Sequence, residues 1–208
     1  VVVLMLISYT FVTYLHLHGG WITTLEEIRS LLSTGADKVV INTEAFTTPE
    51  FIAQAAGKFG SQCIVVSIDV KRTELGHEVF IDRGKRATGV SAVEWAKEAE
   101  KQGAGEIFLT SIDQDGSRKG YDLELMKTVA QCVNIPVIAF GGVWTWNHLV
   151  DGIVAGGVEA VAAANIFHFI EHSTKKAKEH MVGKGIDLRE TSFFKIGTDR
   201  KPEYTEVL

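Results

Sequence analysis

A chain of 208 residues, 46% hydrophobic and 23% charged, is one large domain or two small ones, long enough to bury about 70% of its unfolded surface. That balance excludes a disordered, collagenous or coiled-coil protein. With 21 Lys and Arg against 26 Asp and Glu, the net charge of -5 offers no basic excess for nucleic acid or an anionic membrane.

The first stretch, Val1-Val2-Val3-Leu4-Met5-Leu6-Ile7, has no initiator Met and no basic start. It does not read as a signal peptide, and the natural start is expected upstream. Ser8, Thr10, Thr13, His16 and His18 break the apolar run well short of the ~18 residues a membrane span needs, which leaves one or two buried strands. From there the pattern alternates. Apolar strand-like runs fall at 11–17, 38–41, 63–68, 106–109, 137–140 and 160–164; amphipathic helical stretches fall at 25–33, 49–59, 92–102, 123–132, 147–155 and 173–184. Short apolar strands separated by helices predict parallel βα units. Thr23 and Thr24 ahead of Leu25-Glu26-Glu27 read as a helix N-cap, and Gly35, Gly103 and Gly156-Gly157 as helix ends. Cys63 and Cys132 each sit in an apolar run and read as buried free thiols of a reducing, cytoplasmic setting. The polar, irregular residues 190–208 read as a surface tail, and residues 1–10 as an atypical segment of one 1–208 domain.

An internal repeat adds topology. Residues 19–42 and 141–164 align at an offset of 122, matching Gly19 with Gly141, Gly20 with Gly142, Thr23 with Thr145, Gly35 with Gly157 and Val39 with Val161. Each copy is strand, Gly-Gly loop, helix, Gly, strand, which points to a duplicated block. The expected fold is α/β: a (β/α)8 TIM barrel of duplicated half-barrels with about six of its eight units legible.

Barrel chemistry sits where strands end. Those positions hold Gly19-Gly20, Asn42-Thr43, Asp69 to Lys71, Thr110 to Gly116, Gly141-Gly142 and Ala164-Asn165. Small residues there leave backbone N–H groups free for an anion, so Gly141, Gly142, Ala164 and Asn165 mark one phosphate site, and Gly20, Asn42 and Thr43 mark its repeat-related counterpart. Two such sites imply a substrate with a phosphate at each end; tight strand-to-helix turns are the alternative. Asp69 follows an apolar run and is the candidate general acid or base, with pairing to Lys71 or Arg72 as the structural alternative. The histidines show no metal-ligand spacing, no set of ligands converges, and no metal or cofactor is expected. No nucleophile motif is present either.

The segments GADKVVINTEAF, FGSQCIVVSIDVKR, GAGEIFLTSIDQDGSRKGYDLEL, IPVIAFGGV and NIFHF, from about residue 11 to 189, resemble the cyclase subunit family of imidazole glycerol phosphate synthase. The resemblance implies a duplicated (β/α)8 barrel that takes ammonia from a glutaminase partner and acts on a bisphosphate. It closes an imidazole ring on a ribulosyl aminoimidazole-carboxamide ribonucleotide. It implies that Asp69 is catalytic, with Gln62 and Lys71 as neighbours in the mouth. Asn42 and Thr43 match one phosphate site; Asp115, Gly116, Gly142, Ala164 and Asn165 match the other. Asp37, Lys38 and Glu106 lie at strand starts, and Lys38 and Glu106 resemble the salt-bridged ammonia gate. The family's first catalytic Asp, at the end of strand one, has no counterpart. Trp21 stands at a phosphate-binding Gly position, where an indole is expected to crowd the cradle; Phe140, Trp144 and Trp146 replace smaller residues, and Asn165 a usual Ser. Two alternatives follow. Residues 165–176 and the tail resemble a paralogue of bacterial surface-sugar amidination with its own amidotransferase. A barrel fragment that binds only phosphate or a partner is the other. Six units leave open barrel edges, through which self-association is expected.

Overall fold

The computed structural model describes residues 5–8, 17–19, 21–74, 76–164, 166 and 173–188, with the backbone alone for 5–8, 17–19 and 173. Six strands run parallel: β2 (Leu17–Gly19), β3 (Lys38–Ile41), β4 (Ile64–Thr73), β7 (Glu106–Ser111), β8 (Val137–Phe140) and β9 (Ala160–Ala163). Each leads to a helix: α1 (Leu25–Ser33) after β2, α2 (Thr43–Thr47) and α3 (Glu50–Phe59) after β3, α4 (Ala92–Lys101) after the β4 excursion, α5 (Leu123–Ala130), α6 (Trp146–Val154) and α7 (Ser173–Gly183). This is a partial (β/α) barrel. One strand departs from it: β1 (Met5–Ser8) lies antiparallel on β9, Met5 opposite Ala163 and Ser8 opposite Ala160. Sheet order is β1-β9-β8-β7-β4-β3-β2.

The predicted strands and helices recur, α1, β3 and β8 with the same bounds and the others shifted by a few residues, except that residues 11–16, the greater part of the first predicted strand, and the tail at 190–208 lie outside the described residues. The larger difference is β4. It continues past Asp69 to Thr73 and turns back through β5 (Gly76–Ile81) and β6 (Arg86–Ser91), an antiparallel hairpin absent from the sequence reading. The repeat is visible in the backbone, since β3 and β9 stand at the same offset of 122 and Gly35 and Gly157 both have positive φ. The cap slips by one position: α1 is capped by Thr24, in a capping box with Glu27, and α6 by Thr145. Such caps are worth about 1 kcal/mol each.

Strand alternation divides the core in two. Val39, Ile41, Ile64, Val66, Ile68, Ile107, Leu109, Val137 and Val161 pack outward against the helices. Val65, Phe108, Ile138, Ala160 and Ala162, with Val40 and Phe140 beside them, fill the barrel lumen. A lumen-facing position is therefore an even number of residues from Val40, Val65, Phe108 or Ile138. Cys63 and Cys132 are free, but half-buried rather than buried: Cys63 closes the turn just ahead of β4 and Cys132 follows the end of α5.

Candidate active site

The lumen has a floor and a mouth. At the floor, where strands begin, Lys38 and Glu106 form a half-buried ion pair, and Glu106 Oε2 is buried without a hydrogen-bond partner among the described residues. Asp37, one residue ahead, is exposed at the rim. At the mouth, the same faces of β3, β4 and β7 carry Asn42, Ser67, Asp69 and Thr110.

Asp69 is the centre of this group. Asn42 Nδ2 donates to Asp69 Oδ2 at 3.0 Å, Ser67 Oγ donates to Oδ1 at 3.4 Å, and Thr110, its register partner on β7, adds a third bond. Burial pushes the Asp69 carboxyl above the usual carboxylate range, against the opposing pull of Asn42, Thr110 and Ser67. A second series of bonds sets the Asn42 amide. The Asp82 N–H of the β5–β6 turn donates to Thr43 Oγ1 at 3.1 Å, and the Thr43 hydroxyl reaches Asn42 Oδ1 at 3.5 Å. With its oxygen engaged by Thr43, Asn42 presents its NH2 to Asp69. The hairpin tip, Thr43, Asn42 and Asp69 thus form one hydrogen-bonded line.

Several expected placements change. Asn42 and Thr43, expected to offer backbone N–H groups to an anion, turn their side chains to Asp69 and the hairpin, because alternation along β3 brings Asn42 into the lumen beside a carboxylate. Gln62 is not in the mouth: it is exposed in the 3-10 turn Ser61–Cys63, ahead of β4, at the floor end, seven residues or about 23 Å along the chain from Asp69. Lys71 shares Asp69's face one pleat further out. It is exposed, opposite Glu78, with Nζ 5.8 Å from the Phe80 ring centroid. It makes no pair with Asp69. Trp21 is 72% exposed, takes a left-handed φ of 47° suited to glycine, and lies under the Arg83 guanidinium at 4.3 Å. Asp113, in the loop after β7, accepts from the Arg72 N–H at 2.7 Å.

The second predicted phosphate site does converge. Asp115, Gly116, Gly141, Gly142 and Ala164 line one open cavity of about 360 Å³ at the mouth, next to Phe140. Gly142 is required there twice: its φ is 94°, and a Cβ would stand 2.1 Å from the Gly120 carbonyl oxygen. Phe140 points into the lumen, its ring centroid 5.7 Å from that of Phe108. Gly20 and Asn165 lie outside the described residues.

The sequence shows no converging ligand set, yet the fold brings His77, Asp122 and Glu124 within 4.8 Å of one another. The Arg72 guanidinium already occupies their midst, 2.8 Å from Glu124 Oε2, 2.9 Å from His77 Nε2 and 3.5 Å from Asp122 Oδ2. A fixed positive charge there opposes a metal, and the cluster ties the hairpin to the start of α5. Its two halves, Arg72 with His77 and Asp122 with Glu124, lie 45 to 52 residues apart, so no local spacing announces it.

A parallel sheet rolled around an apolar lumen, with a desolvated carboxylate and a glycine-walled cavity at its strand ends, defines a catalytic scaffold of the (β/α)8 class. The family model described as histidine biosynthesis protein matches residues 6–173, and the chain belongs to that family. Its members are barrel enzymes of histidine biosynthesis, isomerases and cyclases. No helix among the described residues is long and apolar enough to cross a membrane.

Proposed function

We propose that this chain is an ammonia-dependent cyclase and lyase that converts the ribulosyl aminoimidazole-carboxamide ribonucleotide to imidazole glycerol phosphate, with a glutaminase subunit as its ammonia source. The observation that carries the reading is Asp69: one desolvated carboxylate at the mouth, held by Asn42, Ser67 and Thr110. A carboxyl raised by burial is suited to pass a proton to and from the substrate. The cavity at Gly141 and Gly142 takes one phosphate end, and the mouth near Asn42 and Thr43 faces the other. The Lys38–Glu106 pair, at the far end of the lumen, acts as the ammonia gate, and the rim around Asp37 receives the glutaminase. Reduced Cys63 and Cys132 suit a cytoplasmic enzyme.

Turnover of the ribulosyl substrate with added ammonium tests the reading. Asp69→Asn is expected to lower the rate by roughly 10²–10⁴-fold with an unchanged circular dichroism spectrum. A folded variant with a near-wild-type rate removes the acid–base assignment. The sequence at 165–176 favours a second reading, the surface-sugar paralogue; a folded wild type inert towards the ribulosyl substrate would turn the assignment that way or to a non-catalytic barrel.

A further inference from the structure

Arg118 and Trp144 form a wall of the cavity over Gly141 and Gly142. The Arg118 guanidinium carbon lies 4.0 Å from the Trp144 ring centroid, and its backbone holds a left-handed φ of 65°, disfavoured for any residue with a Cβ. Among the described residues, Arg118 has no carboxylate partner. It is also the one cation among the residues lining this cavity, which already contains the Asp115 carboxylate. A second Arg–Trp stack stands after the other Gly-Gly pair, although Trp21 aligns in the repeat with Val143 and not with Trp144. Arg83, with φ 63°, stacks at 4.3 Å over Trp21, next after the Gly19-Gly20 pair.

An indole face holds a guanidinium in place by cation–π attraction while leaving its N–H edge free. That edge matches two oxygens of a phosphate monoester, which a lysine or a backbone amide cannot do alone. A dianion entering a cavity beside Asp115 meets repulsion unless a cation offsets it. We propose that Arg118, braced by Trp144, is the positioning residue that makes this cavity select a phosphate monoester terminus. The assignment rests on the reading of the cavity as a phosphate site in the proposed reaction.

Titration of the full chain with inorganic phosphate, followed by calorimetry, tests it. Arg118→Ala is expected to weaken phosphate binding about tenfold or more. Arg118→Lys should fall between, since it keeps the charge and loses the planar fork. Trp144→Leu should weaken binding less than Arg118→Ala. Arg118→Gly, whose backbone accepts the left-handed φ, guards against a folding defect and should bind as weakly as Arg118→Ala. With the ribulosyl substrate, Arg118→Ala should raise KM and leave kcat nearly unchanged. Equal phosphate affinity in wild type and in the folded Ala and Gly variants overturns the proposal, as does a wild type that binds no phosphate. Phosphate binding does not require turnover, so a wild type that binds phosphate through Arg118 but does not convert the substrate overturns the reaction and leaves this assignment standing.

Discussion

Asp69 and Asn42 show how one amide tunes one carboxylate. Burial raises the Asp69 pKa, and the Asn42 NH2 restrains that rise by favouring the charged form. Asn42→Ala removes the restraint, so the Asp69 pKa moves further up. Whichever protonation state is active, the Asp69 limb of the pH–rate profile on ammonia should shift to higher pH; a limb that stays in place or falls contradicts the network. The stability linkage has the sign of a raised acid. Its contribution is full below the unfolded-state pKa and is lost as pH rises through the folded one. Such a group opposes folding at neutral pH, a cost borne at a site held for chemistry. The candidate site was partly legible at this scale. A lone Asp after an apolar run, and Asn42 and Thr110 at strand ends, are signals in the sequence itself. The Thr43–Asp82 link was not, because it depends on a hairpin that the sequence does not announce.

At the scale of elements, α1, β3 and β8 have the bounds that periodicity predicts, because burial and local propensity agree there. The hairpin was invisible for the converse reason. Arg86–Ser91 has no buried residue and no apolar face, and it is held by pairing with β5, Ile81 opposite Arg86 and Phe80 opposite Ala87. Glu78, on β5, is buried and accepts from the Gly89 N–H at 2.8 Å, a pairing that local pattern cannot foresee. Gln62 was misplaced because resemblance carried it into the mouth, whereas the start of β4 fixes it at the floor. The hairpin is anchored through Arg72 and His77 to Asp122, the N-cap of α5. Burial pushes the Asp122 carboxyl up, but the Leu125 N–H, His77 and Arg72 outweigh it, and the net shift is downward. A lowered acid stabilises above its unfolded-state pKa and loses that contribution as pH falls through the folded one. Asp122→Asn keeps a competent N-cap and removes the charge. Its melting temperature should lie a few degrees below wild type at pH 7, with the gap closing on acidification and shrinking in high salt. A gap independent of pH would show that shape, not charge, matters there.

At the scale of the molecule, the described strands form an open sheet in which β1 and β2 are the two ends of the order and do not pair with each other. β1 covers the edge of β9, and its antiparallel direction is foreign to the six strands beside it. Among the described strands these two ends have no neighbour on their outer side, an arrangement that favours association with a second copy. Static light scattering is expected to report about twice the chain mass of 22.8 kDa, or larger species; a monodisperse monomer with a cooperative melt would count against edge pairing. The layered lumen has a consequence of its own. Between the Lys38–Glu106 pair and Asp69, the described lumen side chains Val40, Val65, Phe108, Ile138, Ala160 and Ala162 are hydrocarbon, and Ser67, the register partner of Phe108, is the one hydroxyl among them. Proton relay needs successive donors and acceptors, and among the described residues this layer supplies only the Ser67 hydroxyl, which is already bonded to Asp69. The described partners of Asp69 thus lie on the mouth side of that layer. An ion meets the full penalty of leaving water at the same layer, while a small uncharged solute does not. The described hydrocarbon layer therefore disfavours charge more than size.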